Sequence, residues 1–249
     1  MPEVSCLRVA PVKGLSTVRR ECVRIDERGV AEDRRAFLVH DDDSVATLRQ
    51  HPELALVVPD LDLDAGKLAV AFPDGTVVAD SLSVLGNPLH TRIFGKDRSG
   101  RVLRGELAGA LSRFAGASLR VVLAESTGVG WDEGPVSLIG TASSDAFAPD
   151  RGDARRFRMT VELAGTEPHE EDSWIGSRLA VGRAVLRVRK PVKRCVIVNR
   201  SPDTGAGDAD ILRELVRRRG QDTMCLGVLA EVLRPGEMAV GDELRVEAG

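Results

Sequence analysis

Short stretches of alternating apolar residues, joined by tight turns, occupy the first third of this sequence. Apolar residues fill every second position over 61–63 and again over 68–72, and Asp64-Ala65-Gly66-Lys67 between them has the composition of a turn. A second turn, Pro73-Asp74-Gly75-Thr76, precedes Val77. Alternation with period two, interrupted by such turns, is the pattern of β-hairpins. We therefore expect a mainly β fold, and the even spacing of the strands favours barrels or sandwiches.

The rest of the chain adds further strands and a few helices. Helices are predicted at about 106–115 and 208–219, and a third begins near Thr141 or Ser143. Gly116 and Gly220 stand where the first two helices should end. The sequence thus predicts an α+β chain rich in strands, and we place a domain boundary near Ala117, between domains 1–117 and 118–249. Other strands are predicted at 4–10, 22–25, 36–40, 179–181, 185–188, 195–198 and 243–246.

Charge and composition exclude several classes of function. Among 249 residues, 35 are Lys or Arg and 38 are Asp or Glu, and this balance argues against nucleic acid or an anionic membrane as the partner. No apolar run approaches the ~18 residues of a membrane span, and no targeting segment is recognised at the N-terminus. We expect a cytoplasmic protein. Its four cysteines lie far apart without a CxxC pair, so spacing indicates neither zinc nor an iron–sulfur cluster.

Basic residues are concentrated in two segments. The stretch from Arg178 to Arg200 contains no acidic residue. Cationic side chains near strand ends suit a phosphate or pyrophosphate ligand, because arginine forks match its oxygens. They could equally form the solvated face of a strand. The basic residues of the stretch are Arg178, Arg183, Arg187, Arg189, Lys190, Lys193, Arg194 and Arg200, and a second cluster consists of Arg151, Arg155, Arg156 and Arg158.

Cys195 lies inside the first basic segment. Neighbouring cations favour the thiolate, which is the form that binds soft metals or attacks sulfur. In a regular strand Lys193 would share a face with Cys195 while Arg194 pointed the other way, so Lys193 is the expected activator. The alternative is that Cys195 is a small buried hydrophobic residue before Val-Ile-Val.

Several motifs, in order, resemble the MOSC domain, the family named for the C-terminal domain of molybdenum-cofactor sulfurases. The strongest is Lys-Pro-Val-Lys-Arg-Cys at 190–195, followed by Ser-Pro-Asp-Thr-Gly at 201–205. The residues before 118 resemble the β-barrel domain that precedes MOSC in amidoxime-reducing components and related bacterial reductases. That likeness lies in 11–14, 29–30, 33–35 and 37–39. The other MOSC-like motifs are Arg156-Phe157-Arg158, residues 171–176, 179–182 and 236–242.

The resemblance implies an N-terminal β-barrel domain followed by a MOSC-type β-barrel, with molybdenum cofactor (Mo-molybdopterin) bound between them. Carried over by position, it assigns Cys195 to the metal as ligand and catalytic residue. It assigns a cluster of basic side chains to the phosphate and pterin end of the cofactor, and Ser143 to a polar cofactor contact. The basic residues of that cluster are Lys13, Arg34, Arg156 and Arg158.

The sequence departs from the family pattern at a few positions. The usual Arg-Phe-Arg-Pro-Asn ends here in Met159-Thr160, so an amide is replaced by a hydroxyl. Gly14 replaces a serine common in the reductases, and Ser201 replaces an aspartate. These differences affect the expected substrate and cofactor contacts more than the fold.

The resemblance implies reduction of a small N-hydroxylated substrate, such as an amidoxime or hydroxylamine, by oxygen-atom transfer. The chain has no flavin, dinucleotide or iron–sulfur motif, so the electrons would come from a ferredoxin-like or cytochrome partner. Two alternatives remain open. Cys195 could carry a persulfide in sulfur transfer, which would need a separate desulfurase, or the protein could store and deliver the cofactor without catalysis.

Overall fold

Residues 1–147, 153–220 and 224–247 are described by a computed structural model and consist mainly of β-strands. Arg151 of the second basic cluster lies outside these residues. The helices are α1 (Leu107–Ala115), α2 (Thr141–Asp145) and α3 (Ile211–Arg219), and 3-10 turns cover Pro52–Leu56, Ala154–Phe157, Glu170–Trp174 and Val196–Asn199. The strands are β1 (Glu3–Val9), β2 (Val12–Lys13), β3 (Val18–Arg20), β4 (Cys22–Asp26), β5 (Gly29–Val30), β6 (Ala36–Val39), β7 (Val58–Asp62), β8 (Lys67–Ala71), β9 (Val77–Ser81), β10 (Leu85–Ile93), β11 (Lys96–Leu103), β12 (Arg120–Ala124), β13 (Val136–Gly140), β14 (Val161–Ala164), β15 (Arg178–Val181), β16 (Ala184–Lys193), β17 (Cys225–Arg234), β18 (Gly236–Ala239) and β19 (Leu244–Glu247).

The largest sheet has eight strands in the order β19-β15-β16-β17-β13-β14-β1-β3. Its ladders are antiparallel except between β13 and β14, which run parallel. One isolated bridge, Glu3 to Glu243, joins β1 to the start of β19. The sheet therefore curls back on itself, but it is an open sheet and not a closed barrel of continuous ladders. Its inner face is a buried cluster that includes Leu7, Leu138 and Leu186.

A second sheet, β10-β11-β12-β6-β2, forms the other large layer, and the hairpin strands β7-β8-β9 make a separate small sheet. Both contribute to a second apolar core, against which α1 packs Leu107 and Leu111. Asp80, on β9, caps the N-terminus of this helix although it is distant in sequence. Its carboxylate accepts hydrogen bonds of 2.9 Å from the backbone N–H groups of Glu106 and Leu107. Bonds at these positions satisfy helix N-terminal donors that have no partner within the helix.

Strands from the first thirty residues pair with strands from the second half of the chain. β1 pairs with β14, and β4 pairs with β18. The two predicted domains are thus joined by shared sheets, and the boundary near Ala117 stays a prediction. This interleaving brings residues that follow β1 and β2 close to the MOSC-like motifs, and so positions the site.

The predicted elements are confirmed in type almost everywhere, and their ends shift by three residues or fewer, except that β16 runs five residues past its predicted end at Val188. The third predicted helix is α2, and α3 begins at Ile211 and not at 208. The prediction of a strand over 195–198 is wrong. Pairing with β17 ends where the Arg194 N–H donates to Met224 O at 2.7 Å, and the Val198 N–H then donates to Cys195 O at 3.2 Å, which closes a 3-10 turn. The regular alternation assumed for Lys193, Arg194 and Cys195 therefore does not occur.

Candidate functional site

A cavity of about 460 Å³ lies between the segment that follows β2 and the Arg-Cys motif at the end of β16. It has the size of a small-molecule site. Five of the six residues predicted for the site line it, although they come from three distant parts of the chain: Lys13, Arg34, Arg156, Arg158 and Cys195.

Two of the lining arginines adopt a backbone conformation that L-residues rarely use. Arg34 has φ 51° and Arg158 has φ 52°, both in the left-handed region. Arg158 follows the 3-10 turn Ala154–Phe157, and its guanidinium donates to Leu15 O at 2.7 Å. Strained conformations of this kind persist where the surrounding structure enforces them, and they are common at functional sites. Contacts with Leu15 O and Asp33 hold the guanidinium groups of Arg158 and Arg34 at the cavity wall.

Cations crowd this wall, and their charges affect one another. Lys13 pairs with Asp132, and Arg34 pairs with Asp33. Burial lowers the pKa of Lys13, and the nearby guanidiniums of Arg34 and Arg158 lower it further, although Asp132 opposes this change. Burial and the charge of Arg34 lower the pKa of Arg158 to about 10. An anionic ligand would relieve this repulsion, since opposite charge favours the protonated form of each base.

Arg156 also lines the cavity, but its guanidinium is already held by a carboxylate. It donates to Asp208 through two bonds of 2.7 and 2.8 Å, the bidentate geometry of a strong ion pair. Arg155 makes a similar pair with Asp203, at 2.8 Å for both bonds. These pairs connect the 3-10 turn Ala154–Phe157 to Asp203, in the Ser201–Gly205 loop, and to Asp208, just after that loop.

Cys195 is partly exposed in the cavity, and its electrostatic neighbours differ from the expected one. Burial lowers the pKa of Arg194 to about 10, and the charge of Cys195 opposes that shift for Arg194 and also for Arg158. Arg194 is buried and donates to Leu226 O, Phe157 O and Met159 Sδ at 2.9 Å. The predicted activator, Lys193, is exposed at the cavity rim. Arg194 and Arg158 therefore lie close enough to Cys195 for its charge to oppose the lowering of their pKa values by burial.

Ser143 does not join the cavity. Its side chain is completely buried, donates to Glu171 Oε2 at 2.8 Å and accepts from the His169 N–H at 2.7 Å. These two hydrogen bonds hold the hydroxyl in the protein interior, against the start of the 3-10 turn Glu170–Trp174. The geometry gives Ser143 a structural role and does not support the expected cofactor contact.

Other lining residues were not singled out from the sequence. Phe94 projects from the turn between β10 and β11, and Trp131 and Asp132 come from the loop before β13. An aromatic residue directly before a glycine, Phe94-Gly95, is the one signal in the sequence that could have indicated Phe94. Asp132 carries no such signal, because its role depends on Lys13, more than a hundred residues away.

The donor set fits a cofactor that brings most of its own metal ligands. Among residues 1–147, 153–220 and 224–247, no group of three or more His, Cys, Asp or Glu side chains could hold a metal ion. The cavity offers a single thiol, from Cys195, together with the cations Lys13, Arg34 and Arg158. A metal already chelated by an organic sulfur ligand, with an anionic phosphate at its other end, matches one thiolate plus a cationic wall. Molybdopterin has this composition, so the residues fit the group that the resemblance implies.

No helix in the described ranges is long and apolar enough to cross a membrane.

The chain is similar to several known proteins. The chain is 27% identical to mitochondrial amidoxime reducing component 2 of Macaca fascicularis over 82% of its length and 68% of that protein. It is 28% identical to the molybdenum cofactor sulfurase of Caenorhabditis elegans over 91% of its length, but spans only 33% of that sulfurase. The crystal structure of the YUAD protein from Bacillus subtilis aligns with the whole chain and 97% of its own, with a TM-score of 0.47 and 13% identity.

Two family models match almost the entire sequence. The model of the MOSC N-terminal beta barrel domain matches residues 1–118, and the model of the MOSC domain matches residues 125–245. The cavity residues from Lys13 to Phe94 lie in the first match, and those from Trp131 to Leu229 lie in the second. The chain therefore belongs to the MOSC family, as a MOSC domain protein with the associated N-terminal domain.

Proposed function

We propose that this protein is a molybdenum-cofactor-dependent oxidoreductase that reduces N-hydroxylated compounds, with electrons from a separate redox protein. The observation that carries the proposal is the meeting of one partly exposed thiol, Cys195, with the partly buried cations Lys13, Arg34 and Arg158 in one cavity. Membership of a family whose relatives include amidoxime reducing components supports the choice of reaction. The electron donor is expected to be ferredoxin-like or a cytochrome.

The chain's own residues would bind and orient the cofactor. Cys195 would supply the protein's sulfur ligand to the metal, and Arg158 and Arg194 would stabilise its negative charge. Lys13 and Arg34 would hold the anionic end, where like-charge repulsion among the cations favours an anion. When bound, the cofactor supplies the two-electron chemistry that removes oxygen from the substrate. Overall, reduction of N–OH to N–H consumes two electrons and two protons and releases water.

Sulfur transfer is the second candidate function. Cys195 is partly exposed and lines the same cavity as Arg158 and Arg194, and two of the relatives are molybdenum cofactor sulfurases. A persulfide on Cys195 would need sulfur from a separate desulfurase. Storage and delivery of the cofactor without turnover is the third candidate.

The test compares Cys195→Ala with Cys22→Ala, the same change at an exposed thiol outside the cavity. Both variants and the wild type are purified from a host that makes molybdopterin, and molybdenum, pterin and amidoxime reduction with an artificial electron donor are measured. We expect Cys195→Ala to lose molybdenum or turnover, while its cofactor-free form, made in a host without molybdopterin, keeps the melting temperature of the cofactor-free wild type. Cys22→Ala should match the wild type in all three assays.

The outcomes separate the candidates. Normal turnover of Cys195→Ala would show that Cys195 is not the required ligand. Cofactor content without turnover in the wild type would favour the carrier function. A persulfide on Cys195 found by mass spectrometry, in a wild type that binds no metal, would favour sulfur transfer.

A further inference from the structure

Phe94 stands at the tip of the β10–β11 hairpin, at the mouth of the cavity. Its side chain is 65% exposed, whereas the preceding residue, Ile93, is buried. It lines the same cavity as Cys195. A large aromatic side chain held open to solvent beside a cavity of ligand size is a recognised feature of binding surfaces.

The backbone at Phe94 shows that the hairpin does not need this residue. Phe94 has φ 49° and Gly95 has φ 75°, so both central residues of the two-residue turn have positive φ. Turns of this type favour Asn-Gly or Asp-Gly, and a bulky aromatic residue in the first position is strained. Folding alone would favour asparagine, which indicates that Phe94 is kept for another reason.

The ring presents a face to the cavity. Lys13 Nζ lies over the Phe94 ring, 5.7 Å from its centroid, and Lys13 is itself a lining residue. The hairpin is held against the neighbouring loop, because Lys96 and Arg98 lie over the Trp131 ring at 5.7 and 5.5 Å. These contacts set the position of Phe94 before any ligand binds.

The cavity lining combines apolar side chains, such as Trp131 and Leu229, with polar and charged ones, which include Arg49, Thr47, Asp132 and Glu133. Phe94 thus adds an exposed aromatic face to a cavity that also offers charged groups. A ligand that matches both would have a polar group for the interior and a flat conjugated group for the rim. Offset stacking of such a group on an aromatic ring adds to the burial of apolar area.

We propose that Phe94 is a specificity-determining residue whose ring binds the planar, π-conjugated part of the substrate. The inference rests on the proposed function, since the polar group that enters the cavity would be the N-hydroxylated one. Phe94 selects among substrates by the flatness and aromaticity of the group that carries the N–O bond. It takes no part in the redox step.

The first test uses two substrates that differ only in this group, benzamidoxime and acetamidoxime, with cofactor-loaded Phe94→Ala and Phe94→Asn. For both variants, the ratio of kcat/KM for benzamidoxime to that for acetamidoxime should fall about two- to tenfold, mainly through KM for benzamidoxime. Phe94→Tyr should keep the wild-type ratio. Phe94→Asn should also melt about 1–4 °C higher than the wild type, because asparagine fits the turn. A ratio unchanged in both variants overturns the proposal.

The second test needs no turnover. Binding of benzamidine and acetamidine to the loaded protein is followed by calorimetric titration, with Val77→Ala as control because Val77 is also 65% exposed but lies outside the cavity. Phe94→Ala should weaken benzamidine binding several-fold relative to acetamidine, and Val77→Ala should not. If the wild type reduces no amidoxime but Phe94→Ala still weakens benzamidine binding relative to acetamidine, the proposed function fails and the proposed role of the Phe94 ring in binding stands. If Phe94→Ala and the wild type bind benzamidine equally, the proposed role of the Phe94 ring is refuted, whichever reaction the protein catalyses.

Discussion

Replacement of Arg194 should reveal an order of stability opposite to that expected from residue similarity. Its guanidinium is 8% exposed and makes four hydrogen bonds, all to uncharged acceptors on Leu226, Phe157 and Met159. The group is thus a buried charge held by carbonyl oxygens and a thioether. We expect Arg194→Met to be tolerated better than Arg194→Lys.

The magnitudes follow from these contacts. In Arg194→Met two carbonyls, Phe157 O and Leu226 O, lose their donor at about 1–3 kcal/mol each. Removal of the charge offsets about 3 kcal/mol, because burial lowers the pKa of Arg194 from its ordinary value to about 10 and each tenfold change in the protonation equilibrium corresponds to ~1.4 kcal/mol. The net loss at the midpoint of these ranges is about 1 kcal/mol.

The Arg194→Lys variant keeps the positive charge but loses the planar set of guanidinium N–H donors. An ammonium is more strongly hydrated than a guanidinium, and it cannot reach all the acceptors that the planar fork serves. Loss of two hydrogen bonds from a charged donor, at about 1.5–3 kcal/mol each, gives a destabilisation of about 4 kcal/mol. For a chain of this length the ~3 kcal/mol gap between the variants corresponds to melting temperatures about 6–12 °C apart.

Thermal and urea unfolding of both variants should be measured on protein from a host without molybdopterin, so that ligand binding does not contribute to stability. Burial should lower the pKa of the introduced lysine, so that the unfolded state binds more protons between that pKa and about 10.4. The stability of Arg194→Lys should therefore rise with pH in this window, and the gap to Arg194→Met should narrow between pH 7 and 9.5. A lysine variant that melts at or above the methionine variant would refute the account.

Two further changes test the surroundings of the site. Burial raises the pKa of Glu171 above its usual value. Between the unfolded-state pKa and the raised folded-state pKa, the folded protein binds more protons than the unfolded chain, so the free energy of unfolding falls as the pH rises through this range. Glu171→Gln should therefore gain more stability over wild type at pH 7 than at pH 4.5 in urea unfolding, and equal differences at both pH values would contradict this. A Cβ at Gly130 would lie 2.2 Å from Arg34 O, so Gly130→Ala should cost about 1–3 kcal/mol and reduce molybdenum content. Gly207→Ala, where a Cβ meets nothing within 4 Å, is the control, and equal melting temperatures for the two variants would exclude the steric effect.

Local sequence patterns were sufficient for most of the secondary structure. The hairpins of β7, β8 and β9 follow from alternation with period two and from their turns, and α1 and α3 follow from apolar faces that end at Gly116 and Gly220. The ordered motifs identified the family, and they indicated five of the cavity residues. Each of these signals lies within a few residues of chain, where backbone preference and side-chain period act directly.

The same signals failed where distant segments determine the conformation. A Val-Ile-Val run favours a strand, but the residues after Cys195 form a 3-10 turn because Arg194 turns inward to acceptors on Phe157 and Leu226. Ser143 was assigned by motif position, yet Glu171 holds its hydroxyl inside the protein.

The sequence by itself therefore determined the strand-rich architecture, the family, and the association of Cys195 with a cationic site. Only the tertiary structure decided which cations surround the thiol, that Ser143 is excluded, and that Phe94 and Asp132 complete the cavity. The physical reason is that burial and Coulomb interactions depend on separation in space, and the sheets pair β1 and β4 with strands more than a hundred residues later. Those pairings bring Lys13 and Arg34 to the motif that ends in Cys195.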